Sequence, residues 1–118
     1  MKRNARYARL ARVNELLREI VAEELRVADD ERLEHVAITS VVVEGDLKRA
    51  VVYFDALGGE EADPAVLEAL GERRRKLQAA IGRQAHIKRT PELEFRPDEV
   101  ERGAERLEEI MRGLHDDD

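Results

Sequence analysis

The stretch that decides the fold is Val36–Phe54, which reads VAITSVVVEGDLKRAVVYF. Residues 35–43 and 49–56 are short and rich in β-branched side chains, a composition typical of β-strands. The cluster EGDLK between them contains Gly45 and Asp46 and predicts a turn. Two strands joined by a short turn form an antiparallel hairpin. The second strand is apolar on both faces, so we expect it to be central or covered on both sides.

Helices are predicted on both sides of this hairpin. Residues 4–28 carry apolar side chains at spacings of three and four, without an interrupting Gly or Pro, which predicts one long helix. Residues 63–84 predict a second helix, with Asp63 as its N-cap and Pro64 at its first position. Residues 97–114 predict a final helix.

A third strand is predicted over residues 86–95, where apolar and charged side chains alternate. Pro91 cannot donate a hydrogen bond to a neighbouring strand, so this strand lies at an edge or is bulged. These elements predict an α+β fold with a three-stranded sheet packed on helices. The length of 118 residues fits one domain, which we place at residues 1–114, followed by an acidic tail at residues 115–118.

The second long helix contains a charged residue on its apolar stripe. Arg74 is the position that keeps phase between Leu70 and Leu77. A guanidinium that faces a core is costly unless it escapes or is paired, and Gly71 weakens a helix by ~1 kcal/mol relative to Ala. Together these residues favour a kink or break within residues 69–75. The alternative is a straight helix from whose stripe edge Arg74 snorkels.

Composition and motifs argue against several classes of protein. The chain has no Cys, which excludes disulfides and thiolate metal sites and agrees with a reducing compartment. It has neither a signal peptide nor an apolar run of the about 20 residues that a membrane span needs. The three His lack metal-ligand spacing, and neither a nucleophile motif nor a phosphate loop is present. We therefore expect a cytoplasmic, non-enzymatic protein without metal, cofactor or membrane contact.

The net charge of −6 conceals a segregation of charge along the chain. Residues 1–20 carry six basic and two acidic side chains, and residues 71–90 carry seven basic and one acidic. Residues 21–70 carry four basic and 13 acidic side chains, and residues 91–118 carry four and 11. Phosphate binding depends on the local potential, so this pattern favours a nucleic-acid partner. The alternative is that basic and acidic helices pair with each other across the fold.

Four segments of the chain together resemble the ribosome-binding factor A family of bacterial small-subunit assembly factors. They read RVNELLREIVAEEL, VAITSVVVEGDLKRAVVYF, TPELEFRPD and ERGAERLEEIM, and their order and spacing cover most of the chain. The resemblance implies a KH-like, type II fold in which a kinked helix pair carrying Ala-x-Gly replaces the GxxG loop. At the expected place this chain has Arg73–Arg75, whereas Ala69–Gly71 fits the pattern one turn earlier. The basic C-terminal extension of the family is also lacking.

The resemblance implies a function in ribosome biogenesis. Family members bind the immature 30S subunit and 16S rRNA, support late maturation and 16S 5′-end processing, notably in the cold, and leave with the help of a maturation GTPase. Aromatic residues make up only 3 % of the chain, so we expect recognition of RNA shape and backbone with little base stacking. We expect the free protein to be a monomer.

The candidate RNA-binding residues come from two basic blocks. A KH-like fold places the second helix and the neighbouring strand along one RNA-facing groove, and the start of the first helix gives a second patch. The predicted residues are Lys2, Arg3, Arg6, Arg9, Arg73, Arg74, Arg75, Lys76, Arg83, Lys88 and Arg89. The alternative function is that of a protein–protein adaptor whose basic helix docks on an acidic partner.

Overall fold

The structure, a computed structural model, describes residues 2–116 and the side chains of residues 6–114. Six regular elements follow one another along the chain: α1 (Lys2–Arg26), β1 (Val36–Val43), β2 (Arg49–Ala56), α2 (Asp63–Gln84), β3 (Glu92–Pro97) and α3 (Glu99–Asp116). Two single 3₁₀ turns, Glu31–Leu33 and Gly59–Glu61, precede β1 and α2. This order confirms the predicted α+β class and the predicted succession of helices and strands.

The three strands form one mixed sheet in the order β1-β2-β3. β1 and β2 pair antiparallel through the hairpin, and α2 crosses over so that β3 pairs parallel to β2. The central position of β2 and the edge position of β3 are therefore confirmed. The register of β1 shifts between Ile38 and Ser40, which leaves Thr39 as an extra residue that points its side chain towards the start of α3.

α1 and α2 cover one face of the sheet and bury its apolar side chains. The fully buried side chains include Leu17 and Val21 from α1, Leu70 and Leu77 from α2, and Phe54 from β2. Each contributes about 1.5–3 kcal/mol through removal of its apolar surface from water. Because aromatic residues are scarce, branched aliphatic side chains and Ala fill most of the space between the helices and the sheet.

α2 runs without interruption from Asp63 to Gln84, so the predicted break within residues 69–75 is wrong. Gly71 lies on the exposed side of the helix, and no atom outside the helix backbone lies within 4 Å of the position that a Cβ would take there. The packing of Leu70 and Leu77 on the sheet outweighs the weak helix propensity of one Gly.

The phase of the apolar stripe on α2 also differs from the prediction. The buried positions are Val66, Ala69, Leu70, Leu77, Ala80 and Ile81, and Arg73, rather than Arg74, continues their spacing. Arg73 is half-buried, whereas Arg74 is exposed and extends its guanidinium over the ring of Phe95, 5.8 Å from the centroid. An uninterrupted helix is thus observed, with Arg74 at the edge of its apolar stripe, and a cation–π contact holds the side chain there.

Asp63 does not cap α2, which corrects the prediction from the sequence. The cap position is Ala62, and Asp63 is the first residue of the helix. Its carboxylate is buried and instead accepts hydrogen bonds from Arg102 of α3, with Nη1–Oδ2 and Nη2–Oδ1 distances of 2.5 and 2.7 Å. A partner 39 residues away in the chain therefore competes successfully with the local backbone N–H groups.

β3 is shorter than the sequence predicts, because residues 86–91 form a connection rather than a strand. His86 adopts a left-handed conformation with φ of 49° directly after α2, and such a residue ends a helix and redirects the chain. Pairing with β2 begins at Glu92, after the buried Pro91. The predicted alternation of buried apolar and exposed charged side chains is observed only from Glu92 onward.

Candidate nucleic-acid interface

Four segments of the chain meet at one end of the sheet. The start of α1 lies beside the β1–β2 turn, where Arg6 Nη2 is 3.3 Å from the position of a Cβ on Gly45. The start of β3 lies beside the same turn, because the Glu92 N–H donates to the Lys48 carbonyl at 2.8 Å. The last turn of α2 packs on the connection before β3, close to Thr90. We call this part of the molecule the hairpin end.

Gly82 makes possible the close contact between the last turn of α2 and the connection before β3. A Cβ on Gly82 would lie 3.2 Å from the Thr90 hydroxyl oxygen, which is closer than most carbon contacts in proteins. The small residue therefore lets residues 85–91 lie close against α2. As a result, the cationic side chains of the connection and of the helix end share one region of the surface.

The hairpin end gathers exposed basic side chains that are distant in the chain. Arg6 and Arg9 come from α1, Arg83 from α2, and Lys88 and Arg89 from the connection. The sequence-based reasoning missed two further members, Lys48 in the β1–β2 turn and Arg49 at the start of β2, which are exposed at the same end. We call these seven residues the hairpin-end cluster: Arg6, Arg9, Lys48, Arg49, Arg83, Lys88 and Arg89.

No member of the hairpin-end cluster forms a salt bridge with a carboxylate among the described side chains. The observed salt bridges use other arginines, namely Arg18, Arg26, Arg32, Arg96, Arg102 and Arg106. The alternative in which basic and acidic helices neutralise each other therefore does not describe this end of the molecule. The cluster presents positive charge on a chain whose net charge is −6.

The four predicted basic residues in the middle of α2 have two kinds of surroundings. Arg75 and Lys76 are exposed on the outer side of the helix. Lys76 lies seven residues before Arg83, so the two share one side of α2, and the outer side of the helix continues the hairpin-end cluster. Arg73 and Arg74, in contrast, lie near carboxylates of this chain.

Arg73 faces an acidic cluster at the other side of α2. Arg32 donates to Asp30 and to Glu72, with Nη2–oxygen distances of 2.7 and 2.6 Å. These hydrogen bonds, with a smaller contribution from the charge of Arg73, lower the pKa of Asp30 to about 2 and also lower the pKa of Glu72. The Arg73 Nε is buried without a hydrogen-bond partner. Part of its charge is therefore compensated within the fold.

Arg74 lies at a shallow groove along the edge strand. Arg49, Glu92 and Glu94 line this groove of about 250 Å³ together with Arg74, and Arg96 is paired with Glu94 at 2.8 Å. The groove therefore combines cations and carboxylates, and it adjoins the hairpin-end cluster through Arg49. Arg73 and Arg74 differ from Arg75 and Lys76 in that they lie beside carboxylates of this chain.

Two predicted binding residues belong to α1, but their side chains are outside the described part of the chain. The side chains of Lys2 and Arg3 lie outside the described part of the chain, although α1 includes both residues. Residues 117 and 118 of the predicted acidic tail are also outside the described residues, while residues 115 and 116 belong to α3. Tyr7, the aromatic residue considered for base stacking, lies near the start of α1 and is 72 % exposed.

The opposite end of the sheet, where β2 ends and α2 and α3 begin, is acidic and internally paired. Arg102 is buried and bonds Asp63 and also Asp55, whose Oδ1 lies 3.0 Å from the arginine Nε. The hydrogen bonds that Arg102 donates to Asp63 raise the pKa of Arg102 above its ordinary value. Asp98 caps α3 by accepting from the Glu101 N–H at 2.9 Å. We call this region the acidic end.

The described residues lack two other kinds of feature, a metal site and a membrane-spanning helix. No group of three or more His, Cys, Asp or Glu side chains between residues 6 and 114 is arranged to hold a metal ion. No described helix combines the length and the apolar character that crossing a membrane requires.

Comparison with known proteins connects this geometry to a family. The family model described as "Ribosome-binding factor A" matches residues 9–111 of the chain. This chain belongs to the ribosome-binding factor A family. The ribosome-binding factor A of Micrococcus luteus is 37 % identical over 112 residues, which cover 94 % of this chain and 76 % of that protein.

Two structures of the Thermus thermophilus family member are similar to this fold. The crystal structure of ribosome-binding factor A from this organism superimposes with a TM-score of 0.68 at 33 % identity, over 75 % of this chain and 94 % of that one. A homology model fitted into the cryo-EM map of a 30S–RbfA complex gives a TM-score of 0.59 at 34 % identity, over 70 % and 88 %. The KH-like fold expected from the resemblance is thereby confirmed.

Proposed function

We propose that this protein is a non-catalytic assembly factor that binds the 30S ribosomal subunit in the bacterial cytoplasm and contacts 16S rRNA through the hairpin-end cluster. Family membership supports the ribosomal target, and the 30S complex of the Thermus thermophilus relative supports the small subunit. The resemblance adds the finer steps of the proposal, namely late maturation with 16S 5′-end processing, action in the cold, and release by a maturation GTPase.

The observation that carries the proposal is the unpaired state of the hairpin-end cluster. Six arginines elsewhere in the described part of the chain engage carboxylates at 2.5–3.0 Å, whereas the exposed cations of the cluster remain available to an external anion. RNA provides such anions at regular spacing, and neutralising them releases counterions. The outer side of α2, with Arg75, Lys76 and Arg83, extends the cationic surface along a helix.

The mode of recognition follows from the side chains that are present. Phe54 is buried in the core, and Tyr7 is the large aromatic side chain that is fully available near the cluster. Sequence-tolerant stacking is therefore limited, and charge and shape provide most of the affinity. A folded rRNA junction, which presents phosphates on a curved surface, suits such a protein better than an extended single strand.

The test compares two triple variants with the same change in net charge. Arg83→Ala/Lys88→Ala/Arg89→Ala removes unpaired cations of the cluster, whereas Arg18→Ala/Arg26→Ala/Arg96→Ala removes arginines that are each bonded to a neighbouring Glu. Binding to purified 30S subunits is measured across a salt series. Each lost phosphate contact lowers the slope of log K against log salt by about 0.7–0.9, so we expect the first variant to lose about 2 units of slope and the second almost none.

Other outcomes would contradict the proposal in different ways. Equal losses in both variants would mean that binding depends on mean charge and not on the hairpin-end cluster. A salt response that is flat for the unmodified protein, or retention on subunits whose RNA has been digested, would favour the adaptor function. The circular dichroism spectrum and the thermal midpoint of each variant control for folding, since surface substitutions change stability by less than ~0.5 kcal/mol in most cases.

A further inference from the structure

α3 turns its polar side towards its own domain. Arg102 reaches into the protein to Asp63 and Asp55, and one turn later Arg106 Nη2 lies 2.7 Å from Glu60 Oε1. The same side of the helix lines a cleft of about 480 Å³ against the end of the hairpin strands. The helix is therefore held by charged contacts near its start and not by burial of an apolar face.

The apolar side of α3 faces away from the domain. Its members lie at spacings of three, four and seven, which places them on one side of the helix. The exposed fractions are 85 % for Val100, 58 % for Leu107, 61 % for Ile110, 55 % for Met111 and 68 % for Leu114. We call these five residues the α3 stripe. Together they expose roughly 500–600 Å² of side-chain surface, at the upper limit of what a monomer normally leaves uncovered.

The charges that border the α3 stripe indicate what covers it. Glu101 and Glu108 lie seven residues apart along one border, and α3 as a whole carries six acidic and three basic side chains. Two of those three arginines are already bonded within the domain. An acidic border repels RNA phosphates and anionic lipid headgroups, and it favours a partner that combines an apolar groove with positive charge.

The same border disfavours a second copy of this chain. In an antiparallel pair of α3 helices, Glu101 and Glu108 would face the same glutamates of the other copy, and like charges that face each other destabilise helix pairs. In a parallel pair, Arg106 is already bonded to Glu60. That leaves Arg112, four residues after Glu108, as one available cation per copy against two glutamates. A second copy therefore offers the α3 stripe less charge complementarity than a basic partner does.

We infer that the α3 stripe is a docking surface for a basic protein of the 30S particle, with its apolar residues in a groove of that protein and its glutamates against lysines or arginines. This inference rests on the proposed function, because the particle supplies both RNA and basic proteins. The stripe starts at the acidic end, and the hairpin-end cluster lies at the opposite end of the sheet, beyond the eight residues of β2, which span about 25 Å. Two contacts on one particle raise the overall affinity beyond that of either alone.

A photo-crosslinking experiment tests the identity of the occupant. The photoreactive amino acid p-benzoylphenylalanine replaces Leu107 in one protein and, as a control, the exposed Val27 that follows α1 in another. Each is bound to purified 30S subunits, irradiated and analysed by mass spectrometry. We expect the Leu107 probe to crosslink to one basic small-subunit protein and the Val27 probe not to do so. Crosslinks from Leu107 to 16S rRNA or to a second copy, or no crosslink at all, would overturn the inference.

Substitutions provide an independent measurement. Leu107→Ser/Ile110→Ser removes the centre of the α3 stripe, and Val27→Ser is the matched exposed control. We expect the double variant to bind 30S subunits at least tenfold more weakly, because interface centres hold most of the binding energy, and to bind isolated 16S rRNA as tightly as the unmodified protein. Unchanged affinity for the subunit, or an equal loss on isolated 16S rRNA, would contradict the inference.

The two proposals fail in distinguishable ways. If the unmodified protein does not bind 30S subunits or 16S rRNA, the proposed function is wrong. The Leu107 probe is then tested on the RNA-free total protein extracted from the small subunit. A crosslink to one basic protein there supports the α3 stripe as an adaptor surface, and the absence of a crosslink overturns the inference as well.

Discussion

The contact between Arg102 and its two carboxylates predicts a large loss of stability on Arg102→Met. Met retains most of the apolar volume of the arginine stem but removes the charge, so Asp63 and Asp55 lose their partner. The side chains are 5 % exposed for Arg102, 12 % for Asp63 and 20 % for Asp55. Two poorly hydrated carboxylates therefore remain close together at the acidic end.

The magnitude follows from these exposures. Removal of one partner of a buried ion pair costs about 3–5 kcal/mol, and the partial exposure of Asp55 lets water compensate for part of that cost. We therefore expect a loss of about 3 kcal/mol in the free energy of unfolding. With a urea m-value of about 2 kcal/mol/M for a small domain, the midpoint of unfolding falls by about 1.5 M.

Arg106→Met is the control for this measurement. It removes the same charge from the same helix one turn later, but its pair with Glu60 is 62 % and 66 % exposed, and exposed pairs contribute little. Urea unfolding followed by circular dichroism compares the two variants with the unmodified protein. If Arg102→Met unfolds within about 1 kcal/mol of Arg106→Met, the two aspartates are better hydrated than their burial indicates, and the reasoning is wrong.

Two further predictions concern α2 and α3. Gly71→Ala should raise the free energy of unfolding by about 0.5–1 kcal/mol in the same urea assay, because the site is helical, exposed and open around the new methyl group; a loss of stability would show that the helix is irregular there. Hydrogen bonds from Thr39 and the Glu101 N–H lower the pKa of Asp98 below its ordinary value of 3.8, so its carboxylate contributes stability that is present above about pH 4 and is lost as the pH falls through the lower folded pKa. The thermal midpoint of the unmodified protein should therefore fall more steeply between pH 4 and pH 2 than that of Asp98→Asn, and parallel curves would refute this.

The elements with strong periodicity could be predicted from the sequence. The β-branched runs around EGDLK fix the hairpin, and the strand bounds 49–56 agree with β2. The apolar spacing of α1 and the end of α2 at Gln84 also agree with the prediction. In these segments the local preference and the packed core favour the same structure, so a reading of one segment at a time is sufficient.

Errors occurred where a distant residue decides the local structure. The buried carboxylate of Asp63 accepts hydrogen bonds from Arg102 and not from the backbone of α2. No sequence pattern near the start of α2 indicates a partner in α3. The phase of the α2 stripe differs from the prediction by one residue because Arg73, a charged residue, continues the apolar spacing. His86 ends α2 instead of beginning a strand, and its left-handed conformation is hard to predict because it is uncommon for a non-glycine residue.

The candidate site could likewise be predicted from the sequence only in part. Charge counting found the basic blocks of α1 and α2, but it placed Lys48 and Arg49 in an acidic block and overlooked them. Their neighbours at the hairpin end become apparent only when β1 and β2 are folded together beside α1. Charge counting also could not separate Arg83, which is unpaired, from Arg73, which lies near Asp30 and Glu72.

The distance between the hairpin end and the acidic end has a consequence for the proposed contact of a protein of net charge −6 with a polyanion. Electrostatic forces in physiological salt decay over a Debye length of about 8 Å, whereas the eight residues of β2 separate the two ends by about 25 Å. When the cationic end touches a phosphate surface, the carboxylates at the far end are screened from that surface. Repulsion from the acidic end is therefore weak at contact, and it acts mainly on molecules that approach with the acidic end forward.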